Sequence, residues 1–440
     1  MITPKMVPSI PIAPRRWPLL GHMRVIAKEQ HAFLLEMERT LGPVFWINMG
    51  FGIWSIVVTG EEAHTIMKNK ATRSDLLDKQ VPHITGHTLL VNDGTEHRRM
   101  RGAMNGPFTP KGINAADIGK MIYDVVEEHF ESWEDDASLD IHHITNVFAL
   151  DVIFRILGIE GADLPLWRKK FSEFIGPGML LPFEFPGSPK WKSKKAQEWM
   201  DERFSVLVKQ AREKSDTQSM LGALAHGADE RGRRLEDKEL LANLRILALA
   251  GHETTASVLA WVMLHLSHSP KHWDLLLEEV RQSPNEPITP KTMASYPLAE
   301  AVFRECLRLY PPVSLLPPRR VAEEMEIYGH TIPVNTRVVA SLISLSKDAA
   351  AYPDPLSFQP ERWLGREKRP GPLESVQFGG GPHFCLGYHL ALLEGVQFIV
   401  SATRYLDKHN LRPTLQGDLP TPKYLPLTRP PKTHIELHAA

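Results

Sequence analysis

Residues 378–387 read Phe378-Gly379-Gly380-Gly381-Pro382-His383-Phe384-Cys385-Leu386-Gly387, and Cys385 is one of only two cysteines in the chain. Three consecutive glycines cost too much backbone entropy to sit inside a helix, so this run is a loop. Pro382 keeps it from folding back into one. Beyond the cysteine, Leu386, Leu390, Leu393, Val396 and Val400 recur at helical spacing, which predicts a helix starting at or just past Cys385. The thiol is thus expected where unpaired N–H groups and a positive dipole end lower its pKa and favour the thiolate. A thiolate on a glycine loop, whose backbone can approach a flat ligand closely, suits axial ligation of a haem iron. The bland alternative is a small buried hydrophobe, the commoner fate of a single cysteine.

Other candidate groups must be brought to that loop by helices. Leu240 to Leu266 carries the strongest helical pattern, about 27 residues and ~40 Å long, enough to cross a domain. Its middle, Ala250-Gly251-His252-Glu253-Thr254-Thr255, is rich in poor helix formers and places a charge among apolar neighbours. Either this is a plain surface turn of the helix or the polar residues have a task. Asp93-Gly94 opens a shorter helix on which His97 and Arg101, four apart, share one face; taken alone they are two solvated basic groups. Glu305 and Arg308, three apart, form by themselves an ordinary surface pair contributing a few tenths of a kcal/mol. His83 and His87 have helical zinc spacing, but Gly86 interrupts them and no third ligand is near, so a loop over a ligand pocket is the better reading of 72–95.

Taken in order, these motifs resemble the cytochrome P450 monooxygenases across nearly the whole chain. Phe378, Gly381, His383, Cys385 and Gly387 fill every fixed position of that family's haem-binding loop. The resemblance implies haem b held by Cys385, with Phe378, Gly379, His383 and Gly387 forming its cradle and Ala250 leaving room beside it, as Gly251 would. His97, Arg101 and Arg319, or alternatively Arg320, would pair with its propionates by charge-assisted hydrogen bonds. Thr254 and Glu253 would deliver the protons that oxygen activation requires, Thr254 either back-bonded to a carbonyl one turn earlier or turned to oxygen. Glu305, Arg308 and Arg362 match the family's buried structural triad, with two local departures: Trp363 stands where Phe is usual, and Ser346-Lys347-Asp348 where Asn-Arg-Asp or His-Arg-Asp is common.

The same resemblance places a substrate lid at 176–190 and a pocket-closing turn at Tyr424–Thr428. The pocket candidates Leu180, Leu181, Phe183, Leu249, Leu315, Leu316 and Leu425 are apolar, so a hydrophobic substrate is expected: terpenoid, sterol-like or polyketide, with a fatty acid next. The expected reaction inserts one atom of O2. Electrons come ultimately from NAD(P)H through a ferredoxin and its reductase on separate chains, docking where Arg98, Arg366, Lys368 and Arg369 supply positive charge. A haem-thiolate isomerase or coupling enzyme, and a haem-based sensor, are the alternatives; retention of Thr254 beside Glu253 argues against both.

Composition agrees with an ordinary globular chain. Of 440 residues, 42% are hydrophobic and 23% charged, with a formal charge of −1, which gives no reason to expect a nucleic-acid partner. Two cysteines make no disulfide framework, and Cys306, in an amphipathic helix, reads as a core thiol, in keeping with a reducing cytosol. No run approaches the ~18 apolar residues of a membrane span, and the Pro-rich lead (1–25) has no signal-peptide h-region. The expectation is therefore a cytoplasmic monomer, a single mainly α domain over 1–440 with a minor β region, without repeats or a fused redox module. A helix over 28–41, a hairpin of Val44–Met49 and Ile53–Thr59, largely helical structure from 115 to 240 and strands at 325–333 and 336–343 fill in the outline. Lys190-Trp191-Lys192-Ser193-Lys194-Lys195 reads as a solvated helix start.

Overall fold

A computed structural model describes residues 2–133, 138–176, 184–365, 371 and 374–439. The chain is organised around one helix, Asp237–His268, 32 residues long. It starts on a reciprocal capping box between Glu236 and Glu239, which satisfies orphan N–H groups of its first turn. Arg99 then clamps Glu239 at 2.5 Å, tying the helix Gly94–Asn105 to this start. Along its length Leu244, Leu259, Trp261 and Leu264 are fully buried.

Its main neighbour is Ile141–Ile156, and a glycine makes that contact close: a Cβ on Gly251 would lie 3.2 Å from Ile153 Cδ1. Gly251 therefore serves helix packing on the side of Ile153, rather than opening room beside the cofactor as the sequence suggested. Two segments, Asp237–His268 and Gly381–Lys408, pass for bilayer-crossing by length and mean hydropathy alone. Both are mostly buried, because they form the centre of the largest hydrophobic core.

The β region is small. Strands Val44–Asn48, Trp54–Val58, Arg337–Ala340, Arg319–Val321 and Thr72–Arg73 form one sheet in that order. Trp54–Val58 and Arg337–Ala340 run parallel, the other pairs antiparallel. This sheet carries Arg319 to the edge of the site. The expected 28–41 helix begins earlier, at Met23, and residues 72–95, expected to be irregular, hold a short strand and the short helices Leu76–Gln80 and Pro82–Thr85. Gly86 ends the second of these, His87 is left-handed, and His83 instead meets Ser193 at 3.5 Å. No group of three or more metal-ligating side chains occurs among the described residues. The lysine-rich run lies in the first turns of Pro189–Glu213, where Lys194 pairs with Glu184 and Lys195 with Glu198.

Candidate active site

The glycine loop and the long helix face each other across one apolar cavity. Cys385, Phe378, Gly379 and His383 line one wall; Ala250, Thr254, Thr255 and Val258 line the other. The helical residues fall at i, i+4, i+5 and i+8, a single stripe. The loop is held open by hydrogen bonds of its own: the Cys385 N–H donates to the Phe378 carbonyl at 2.8 Å, and Gly379 and Gly381 take φ of +78° and +62°. A Cβ on Gly381 would lie 2.7 Å from the Met67 carbonyl oxygen, so only glycine lets the loop approach the helix Gly60–Lys68. The following helix starts at Tyr388.

Burial pushes the Cys385 thiol pKa up, although the Gly387 N–H and the Arg101 guanidinium pull the other way. That corrects the expectation of a lowered value: desolvation exceeds the helix-end effect here. A metal cation at Sγ reverses such a balance outright. Cys306, the second cysteine, is fully buried in the main core.

Basic side chains gather beside the cysteine loop. The His97 and His383 rings lie 4.2 Å apart, and His97 Nε2 is buried without a hydrogen-bond partner among the described residues. Burial lowers the His97 pKa to about 4, with His383 and Arg101 adding to the effect. Arg101 donates to the Phe384 carbonyl at 2.6 Å, against the cysteine loop. Arg319 lines the cavity, held by Thr72 and Ser74 and paired with Asp93 at 3.1 Å, whereas Arg320 turns away to Asp75.

Asp93, read from the sequence only as a helix opener, is the counter-charge of this cluster and accepts from His383 at 3.1 Å. Burial opposes its ionisation, but the His383 hydrogen bond, the Ser74 N–H and Arg319 outweigh that and hold its carboxyl far below the usual range. An orphaned imidazole nitrogen, two arginines against one carboxylate, a glycine cradle and a thiol at the cavity wall together fit a flat, metal-bearing dianion such as haem.

On the opposite wall the Thr254 hydroxyl donates to the Ala250 carbonyl at 2.6 Å, the back-bonded alternative. Glu253 lies off the cavity stripe; burial raises its pKa and the nearby Arg429 partly offsets the shift. Of the pocket candidates, Leu316 lines the cavity. Leu249 packs on the main core, and Leu315 and Leu425 pack on the cluster of Phe33 and Leu34, so these three are not in its lining. Leu180, Leu181 and Phe183 lie outside the described residues, as do Arg366, Lys368 and Arg369.

Sequence reasoning missed a polar knot behind the cavity wall. Ser314 Oγ lies 2.7 Å from His31 Nε2 and 2.6 Å from Thr428 Oγ1, and donates to the Pro311 carbonyl at 3.1 Å. Ser257, on the long helix, donates to the Thr428 carbonyl at 2.6 Å, and the Thr428 N–H donates to Pro312 at 2.8 Å. All four side chains are buried. No local pattern announces them, because their partners are between 114 and 283 residues apart. Thr428→Val should cost about 1 kcal/mol of stability through one lost buried hydrogen bond. Denaturant unfolding would show it, with Thr428→Ser restoring most of the loss.

The site and the helix-dominated fold define a haem-thiolate class of protein. The cytochrome P450 family model matches residues 11–435. Cytochrome P450 BJ-4 of Bradyrhizobium diazoefficiens is 33% identical over 426 residues, covering 97% of this chain and 95% of that one. Cyclooctat-9-en-7-ol 5-monooxygenase of Streptomyces melanosporofaciens is 29% identical over 405 residues, 87% and 86% of the two chains. The fold matches the structure of retinoic acid bound cyanobacterial CYP120A1 with a TM-score of 0.82 at 23% identity, covering 98% of this chain and 100% of that one. The chain belongs to the cytochrome P450 family, and with it to the haem-dependent monooxygenases.

Proposed function

We propose that Cys385 holds haem b in the cavity described above, and that the protein oxygenates a hydrophobic natural product. The observation that carries this reading is that the Cys385 loop and the Ala250–Thr254 turn line one and the same apolar cavity. Haem held there would supply the activation of O2. In the overall reaction a C–H substrate, O2, two electrons and two protons give the alcohol and water; an alkene gives an epoxide with the same balance.

The chain supplies what surrounds that chemistry. Cys385 would present its sulfur from the loop, while Arg101 and Arg319 would balance the propionate charge and His97 and His383 would add hydrogen bonds. The raised Glu253 pKa lets this carboxyl carry a proton nearer neutrality than an exposed one. Glu253 passes protons inward and the Thr254 hydroxyl, released from the Ala250 carbonyl, hands them on at the cavity wall. Leu90, Val258, Val313 and Leu316 line the apolar part; they exclude water and select an apolar substrate by burial.

A terpenoid, sterol-like or polyketide substrate fits that lining, and the names of the relatives above, with a cyclic alkenol and retinoic acid, support this range. A fatty acid is the second reading. Electrons come from NAD(P)H through a ferredoxin pair docking near exposed Arg98, in the cytoplasm.

Thr254→Ala tests the assignment. Product formation should fall at least ~100-fold, the scale of one general acid, while reducing equivalents drain into peroxide. Unchanged hydroxylation would remove Thr254 from the mechanism. Screening lipids and natural products for shifts of the haem absorption spectrum identifies the substrate.

A further inference from the structure

Two turn tips far along the chain from the catalytic loop hold apolar side chains out in water. Leu19 is 77% exposed and Phe51 81% exposed, among the highest values for large hydrophobic residues here. Both sit in the left-handed region, at φ of 59° and 49°, which bulky L-residues avoid and glycine or asparagine takes readily. The tips are joined: the Phe51 N–H donates to the Leu19 carbonyl at 2.6 Å. Trp17, 49% exposed, and Leu20, 48% exposed, extend the same surface. Folding therefore bears strain and exposes greasy surface at one place, a combination that persists where a function maintains it.

Charge says what covers the patch. Residues 15–28 contain Arg15, Arg16, Arg24 and Lys28 and no acid, and residues 44–58 contain no charged residue. Arg24 lies over the Trp17 ring at 4.2 Å and Arg16 over Trp54 at 5.4 Å. The nearest acids in sequence, Glu29 and Glu36, are both taken by Arg15. Arg16, Arg24 and Lys28 have no carboxylate partner among the described residues. Protruding leucines and a phenylalanine, a tryptophan flank and a rim of uncompensated cations match an anionic lipid surface: apolar tips enter the acyl boundary and cations meet phosphates.

We propose that this face, built by the 17–21 turn and the 50–52 hairpin tip, docks the protein peripherally on anionic bilayers. The proposal is independent of the substrate reading. It is tested by co-sedimentation of the holoprotein with phosphatidylcholine vesicles containing about 30 mol % phosphatidylglycerol, with pure phosphatidylcholine as control.

Binding to the anionic vesicles, weakened at about 0.5 M salt, supports it. In Leu19→Gly/Phe51→Gly the lipid concentration for half-sedimentation should rise about tenfold or more. Glycine suits both backbones, so this variant should retain its haem spectrum. Arg16→Glu/Lys28→Glu gives a second reading by charge alone, with binding again lost. No sedimentation at low salt, binding unchanged in both variants, or self-association through this face without vesicle binding overturns the proposal.

Discussion

Cys385→Ala should yield a protein that folds around the same helices but whose reduced carbonyl adduct lacks the red-shifted absorption band anionic sulfur imposes, and whose oxygenation falls below detection. Among the described residues lining the cavity beside it, Phe378, Gly379 and Gly380 offer no metal ligand, the Gln377 amide is tied to Ser346 and His383 is held by Asp93. The matched control is Cys306→Ala. That thiol is fully buried in the core, away from the cavity lining, so its loss should cost about 1 kcal/mol of packing and leave the spectrum intact. A normal band in the Cys385 variant would move the ligand elsewhere and end the assignment.

Glu305→Ala should have the largest effect on folding. Glu305 is fully buried and accepts from Arg308 at 2.7 and 2.9 Å, from Arg362 at 3.1 Å, from Trp363 Nε1 at 2.8 Å and from the Gln359 N–H at 3.0 Å. Removing the carboxylate leaves Arg308, also fully buried, and Arg362 as uncompensated charges. Breaking a buried pair from one side costs about 3–5 kcal/mol, enough to deplete folded holoprotein. Thermal unfolding and haem retention measure it. Glu305→Gln, which keeps shape and an acceptor, should fall between parent and alanine variant; a melting curve for the alanine variant matching the parent's would show that the cluster is not structural. The Trp363 departure acquires a reason here, since its indole N–H gives Glu305 a donor that phenylalanine lacks.

Much of this was legible because the relevant physics is local. Glycine runs, a proline and an apolar repeat define the Cys385 loop and the helix after it, and the long helix is visible from its own periodicity. Less legible was which way each residue faces. Gly251 and Ala250 are neighbours in sequence, yet one packs on Ile153 and the other lines the cavity. Leu315 and Leu316 likewise divide between a core cluster and the cavity, because consecutive residues of an extended segment point to opposite sides.

The sequence by itself determined the family and the mainly helical fold, and it singled out Cys385, Glu253 and Thr254 as candidates, since each is written in a short run of residue types. Tertiary structure alone decided the burial of the thiol, the counter-charge at Asp93, the knot at Thr428 and the strained apolar tips at Leu19 and Phe51. Those depend on desolvation and on partners brought together from distant segments, which residue type and spacing do not encode.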